Sequence, residues 1–397
     1  MSNHPFELVA TLAPIETIRL PAGLDGRDGS NRAAGVRAQI AADNDVDAIK
    51  AWLARFVDTK TTFDNYRKEA ERLLLWCSIE LGKPLSSINH EDWLRYKEFL
   101  RNPQPGARWV APKGRKFPRS HPNWRPFAGP LAPASQRQAG VILNALFSWL
   151  VSAAYLAGNP LALSRERKKR GAARVTRYLD DEIWAEVKAT INALPRATPR
   201  QREHYFRLRW LFTLLYVCGL RISEVIATSM GAFFQRRDNK AGSERWWLEV
   251  VGKGEKLRIV PATSELMLEL GEYRRELGMA PCPAPNETAP LLLPIGGQHR
   301  KLTRGGVHAI VKQVFERTAS RFRERGPQFE PDALRVLQAS AHWLRHTAGS
   351  HMANGAVDLR HVRDNLGHES ISTTNIYLHS PDDVRHGETE AKHRIGW

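Results

Sequence analysis

The sequence predicts a mainly α-helical protein with a small β-sheet or hairpin, divided into an all-α N-terminal domain and a mixed α+β C-terminal domain. Three observations lead there. The 397 residues exceed what a single hydrophobic core usually organises, so two domains are expected. Apolar residues recur at three- and four-residue spacing through most of the chain, as in helices buried on one face. One stretch, on either side of Gly252-Lys253-Gly254-Glu255, instead reads as two short strands joined by a turn.

Residues 1–40 contain Pro, Gly, Asp and Asn without sustained periodicity and read as a flexible N-terminal arm. A helical domain is expected over 41–163. Its first helix, 45–59, carries Ile49, Trp52, Leu53 and Phe56 at helical spacing. The second, 62–81, carries Tyr66, Ala70, Leu73, Leu74 and Cys77, and Gly82 followed by Pro84 ends it. A third starts after the cap Asn89 with Trp93, Tyr96 and Leu100 on one face. A fourth runs from 135 to about 158 through Leu143, Leu146, Phe147 and Leu150. Between the third and fourth lies an insertion, 102–131, with Arg108, Lys113, Arg115, Lys116, Arg119 and Arg125 and no acid at all. The interleaved Trp109, Phe117, Trp124 and Phe127 predict a DNA-contacting element, because aromatics in a purely solvated loop have no evident role.

A basic linker, 164–176, follows; its Arg167, Lys168, Lys169 and Arg170 predict contact with a phosphate backbone. The second domain, 177–397, opens on a helix over 182–194 that Asp180 or Asp181 can cap. The apolar helix 205–218 breaks at Gly219, so that Arg221 emerges at the start of a fresh helix, a position suited to anions. Strands over 246–251 and 256–261 place Lys253 at the hairpin turn. Helices are expected over 264–277, 303–321, 340–354, 358–366 and 370–377, with a C-terminal tail over 378–397.

Lys and Arg number 59 against 42 Asp and Glu, a formal charge of +17 that implies a polyanionic partner. A membrane surface is disfavoured: the longest strongly apolar run, 210–218, is far short of a spanning helix, and the start of the chain lacks a signal peptide's layout. Three scattered cysteines fit a reducing compartment, and the protein is expected in the cytoplasm. His342 and His346 have the i, i+4 spacing of a zinc helix, but Trp343 stands where a zincin needs glutamate, and no ligand cluster marks a metal site.

The chemistry rests on a set of blocks: Gly219-Leu220-Arg221 with Glu224, Lys253, His342-Trp343-Leu344-Arg345-His346, Leu366-Gly367-His368, and Tyr377. A phosphodiester gathers negative charge on its non-bridging oxygens as a nucleophile enters, so a catalyst must aim fixed positive donors there. The planar arginine fork does this best. His342 and Arg345, three apart on a helix, share a face, whereas Leu344, Ala348 and Met352 line one that can be buried.

In residue type and in the spacing of the last three blocks, the set resembles the tyrosine recombinase (phage integrase) family, and none of these positions departs from the family's pattern. The resemblance implies an N-terminal core-binding domain and a catalytic domain closing around duplex DNA, with Arg221, Lys253, His342, Arg345, His368 and Tyr377 as the catalytic set. Arg221 and Arg345 would clamp the scissile phosphate, with His342 and His368 as further donors and proton-transfer partners. Lys253 would protonate the departing 5′ oxygen, and Tyr377 would be the nucleophile. Glu224 would steady the active-site helices, and Lys256 and Arg258 would touch DNA, with Lys256 the alternative to Lys253 for the acid role. The implied function is site-specific recombination of double-stranded DNA through a 3′-phosphotyrosine, for integration, excision or transposition of a mobile element. It would need no cofactor, neither ATP nor metal, and would proceed in a homotetramer on paired sites, with an accessory recombinase or architectural protein as a further partner. The rivals are relaxation of DNA by a type IB topoisomerase-like enzyme and a catalytically silent DNA-binding protein of the same fold.

Overall fold

The computed structural model describes residues 12–35, 38–112, 117–164, 177–237, 242–296, 300–355, 357–368 and 374. The chain falls into two compact units, Met1–Lys169 and Arg170–Trp397.

The first unit is built on α1 (Asp45–Ala54), α2 (Lys60–Trp76), α3 (His90–Arg101), the single turn α4 (Gly106–Trp109) and α5 (Pro133–Ser152). Local chemistry sets the helix starts. Asn44 accepts from the Asp47 amide at the head of α1, and Asn89 and Asp92 form a reciprocal capping box on α3. Helix α2 widens into a π turn, Cys77–Leu81, before Gly82. The apolar faces of these helices, with Trp52, Leu73, Leu74, Tyr96, Leu143, Leu146 and Phe147 among them, form one buried core.

Two sequence expectations are corrected here. Residues 12–35 are not a flexible arm: Ile15 and Ile18 are 3% and 9% exposed and belong to the core. The Ile15 amide donates to the buried Glu71 carboxylate at 2.8 Å. The Asp45 amide donates to the Asp25 carbonyl, while the buried Asp45 carboxylate accepts from Ser86 and Tyr155. The apolar anchors are too few and too widely spaced to register as periodicity.

Two aromatics of the insertion, Trp109 and Phe127, also face inward, with Trp124 partly buried against the same core. Trp109 and Phe127 are fully buried, both edge-on to Phe99 at 5.0 and 5.7 Å, and the Trp109 indole N–H donates to Glu80 at 2.7 Å. A short parallel bridge, Val110 to Phe127, closes the segment on itself. Arg119 is ion-paired with Glu71 and Glu16, and Arg125 donates to the carbonyls of Ala107, Pro122 and Trp124. Trp109 and Phe127 are therefore core residues, and these two guanidiniums have partners within their own unit. Arg108 reaches Glu80 at 3.3 Å with half its side chain exposed. Lys113, Arg115 and Lys116, like the linker residues Arg167, Lys168, Lys169 and Arg170, lie outside the described residues.

The second unit holds α6 (Asp181–Asn192), α7 (Pro199–Val217), α8 (Ile222–Ala227), a sheet, α9 (Ser264–Glu276), α10 (Arg304–Glu324), α11 (Glu330–Gln338), α12 (Ala341–Asn354) and α13 (Leu359–Leu366). The sheet is antiparallel in the order β1 (Phe233–Arg237), β2 (Glu244–Val251), β3 (Leu257–Pro261), with Leu248 opposite Phe233 and Val260. Strand β1 and helix α11 are additions to the sequence reading; the hairpin β2–β3 stands where it was expected. Helix α7 runs through the core with Trp210, Leu211, Leu214 and Leu215 buried. The fold is mainly helical with a small sheet.

Candidate active site

The site is built where α7 ends. Gly219 adopts φ +57°, and a Cβ placed there would lie 2.5 Å from a Leu366 methyl, so both backbone and space require glycine. The chain then delivers Arg221 as the N-cap residue of α8. Its amide donates to Glu224 Oε2 at 2.8 Å and its guanidinium to Oε1 at 2.7 Å.

Glu224 is 2% exposed and has a second cationic partner, Arg258 of β3, whose two Nη atoms each lie 2.9 Å from one carboxylate oxygen. Burial pushes the Glu224 carboxyl up, but the hydrogen bonds and charge of Arg258, followed by the bonds from Arg221, hold it at about 2. Arg258, expected to touch DNA, is here engaged within its own unit. Its side chain is 11% exposed, and its Nε donates to the Asn365 carbonyl at 3.2 Å.

Helix α12 brings the other donors. Arg345 is 2% exposed; its Nη1 donates to the Gly219 carbonyl at 2.5 Å and its Nη2 to the Leu366 carbonyl. These bonds fix the guanidinium plane between the end of α7 and the end of α13. One turn along, His346 packs edge-on to His342 with ring centroids 4.5 Å apart. His368 follows Gly367, which ends α13 at φ +61°, and its Nδ1 is 3.0 Å from the buried Thr374 hydroxyl.

All three imidazoles are held below the usual histidine range. For His342 the causes are the surrounding protein and then the charges of Arg345, Arg221 and Arg177. Burial, then His342, Arg345 and Arg177, brings His346 to about 4. Burial, then Arg345, Arg221, His346 and Arg258, brings His368 to about 4. At neutral pH the cluster thus holds charged guanidiniums beside neutral rings that can accept a proton.

The structure brings Arg221, Glu224, His342, Arg345 and His368 together. Lys253 opens the turn between β2 and β3, a 3-10 segment closed by the Gly252 amide donating to the Lys256 carbonyl at 2.8 Å. Gly252, at the base of that turn, would place a Cβ 3.8 Å from Glu224 Oε1, so the hairpin meets the acid that holds Arg221. Lys256 is exposed on the same turn. Tyr377 lies outside the described residues. His346 and Arg177 join the cluster without having been given a role from sequence. The helical spacing of His346 from His342 could have indicated the first, whereas nothing local marks the second.

Among the described residues no group of three or more His, Cys, Asp or Glu side chains gathers to hold a metal, and no described helix is long and apolar enough to cross a membrane. The arrangement suits a tetrahedral oxyanion: two fixed guanidiniums for its oxygens and neutral imidazoles for a proton.

The model of the phage integrase family matches residues 185–383. Tyrosine recombinase XerD of Brucella abortus biovar 1 is 29% identical over 264 residues, covering 66% of this chain and 77% of that protein. Tyrosine recombinase XerC of Halalkalibacterium halodurans is 31% identical over 244 residues, 61% of this chain and 69% of that one. The crystal structure of the XerH site-specific recombinase bound to palindromic difH substrate, a post-cleavage complex, shares the fold. Its TM-score is 0.56 at 18% identity, covering 92% of this chain and 91% of that one.

Proposed function

This chain belongs to the phage integrase family of tyrosine recombinases, and from that premise we propose how it works as a site-specific recombinase that cleaves and rejoins DNA. The reading rests most on one observation: the Arg345 guanidinium is fixed between the carbonyls of Gly219 and Leu366, just ahead of Arg221 and His368 in the chain, with His342 and His346 ring to ring on the same helix.

In the proposed reaction Arg221 and Arg345 bind the non-bridging oxygens of the scissile phosphate, whose charge grows as the nucleophile enters. The oxygen of Tyr377 attacks phosphorus, and the bond to the 5′ oxygen breaks. A tyrosine with the ordinary pKa near 10 is mostly neutral at pH 7, so its proton must be taken up, and His342 or His368 can accept it. Lys253 gives a proton to the departing 5′ oxygen. The phosphodiester energy is kept in the tyrosine ester, so attack by a new 5′ hydroxyl reverses the steps and rejoins the strand.

Double-stranded DNA is the partner. We infer a homotetramer on paired sites, formed with or without an accessory protein, acting in the cytoplasm. The test is a covalent protein–DNA adduct on a nicked duplex from which the short released fragment, bearing the new 5′ hydroxyl, diffuses away. Wild-type protein should accumulate it, while Tyr377→Phe should bind the duplex with nearly unchanged affinity and form none. An adduct formed by that variant would move the nucleophile elsewhere.

A further inference from the structure

Arg258 has no place in that reaction scheme, yet it joins three pieces of the site. Its strand begins directly after the turn that carries Lys253. Its guanidinium grips Glu224 of α8 with two bonds of 2.9 Å and donates to the Asn365 carbonyl near the end of α13. Its stem lies against Gly367, where an added Cβ would fall 2.8 Å from the Arg258 Cδ. The residue before His368 is thereby seated on Arg258.

The division of the Glu224 carboxylate is the decisive detail. Oε1 accepts from Arg221 Nη1 and Arg258 Nη1, and Oε2 from the Arg221 amide and Arg258 Nη2. Arg258 therefore engages both oxygens, while the Arg221 guanidinium donates to one of them. A buried carboxylate draws every cation within reach. With Arg258 removed, the Arg221 fork is the nearest group able to bind both oxygens, and closing on them would turn it away from a phosphate.

We propose that Arg258 is a positioning residue for strand cleavage: it occupies Glu224 so that the Arg221 guanidinium stays directed to the scissile phosphate, and it seats Gly367 so that His368 faces the same centre. The proposal rests on the recombinase reading, and its test separates the two.

Cleavage is measured in single turnover on the nicked duplex at saturating protein, with duplex affinity from fluorescence anisotropy and folding from a thermal melt. Failure of the wild-type chain to form an adduct overturns the recombinase reading itself, whatever Arg258 does. Given a wild-type adduct, Arg258→Met should slow cleavage on the order of a hundredfold, the scale of an ångström's misplacement, with duplex affinity unchanged. Adding Glu224→Gln to Arg258→Met should restore roughly tenfold of that loss, because a neutral amide no longer draws Arg221. A residue needed for folding alone would show the rescue in the melting temperature but not in the single-turnover rate of the folded protein. The proposal is overturned if Arg258→Met cleaves at the wild-type rate, or if the double variant, folded at the assay temperature, is no faster than the single one. Should Arg258→Met melt below that temperature, Arg258→Lys carries the test, since it keeps the charge but loses the fork. Slower cleavage at unchanged affinity then supports the proposal, and a wild-type rate overturns it.

Discussion

His346 and His368 are neutral at pH 7 because packed protein buries them and neighbouring charges add to the effect, and this ties the fold to acidity. Each titrates at about 4 in the folded chain, against the ordinary 6.5 once unfolded. Between those values the unfolded chain binds the proton and the folded one does not, so acid favours unfolding. Their contribution to stability is complete above pH 6.5 and is lost as pH falls through 4. Glu224, held at about 2 against 4.5, acts in the same direction over the next interval down. The melting temperature should therefore fall steadily from pH 7 to pH 4, and His346→Gln should flatten that slope. An unchanged slope in the variant would show that His346 does not carry the linkage. The same residue scale shows what sequence leaves illegible. The spacing of His342 and Arg345 already puts them on one helix, but the partner of Arg258 is Glu224, 34 residues away. A cation's charge does not say whether it meets solvent, DNA or a buried acid.

At the scale of elements, hairpin β2–β3 and helices α7 and α12 are legible because alternation or helical spacing runs through each. Strand β1 is not, because only its first residue, Phe233, is fully buried, Phe234 is half-buried, and the last three residues are polar and exposed. Helix α11 escapes notice for a similar reason: Ala333 and Val336 are its buried residues, too few to show a period. The insertion is the instructive case. Its composition matches that of a nucleic-acid-binding loop, yet aromatic content alone cannot separate a ring facing a base from one facing a core. Trp109 and Arg119 now predict opposite results from those a DNA contact would give. Trp109→Ala should cost about 3–5 kcal/mol of stability, as for other buried aromatics. Arg119→Met should lower the melting temperature by leaving Glu71 underpaired, while the salt dependence of duplex binding stays as in wild type. Calorimetry and anisotropy across a salt series check both. A fall in the slope of about 0.9 for Arg119→Met would restore one phosphate contact to that residue.

For the whole molecule, the excess of 59 basic over 42 acidic residues is the term that sequence conveys best, because long-range charge needs no knowledge of packing. Duplex affinity should fall by roughly a thousandfold or more between 50 and 200 mM salt if about six phosphates are engaged. A weak dependence would shift the burden of binding to uncharged contacts. The packing of residues 12–35 bears on modular exchange between relatives. Ile15 and Ile18 fill the core of the first unit, the Ile15 amide is bound to Glu71, and the Asp25 carbonyl holds the first amide of α1. A chimaera that transplants this unit onto another recombinase to redirect its target must take the donor's sequence from residue 12, well ahead of the first helix. Grafting from residue 41 would hand the recipient an open seam, and its failure would be mistaken for lost specificity.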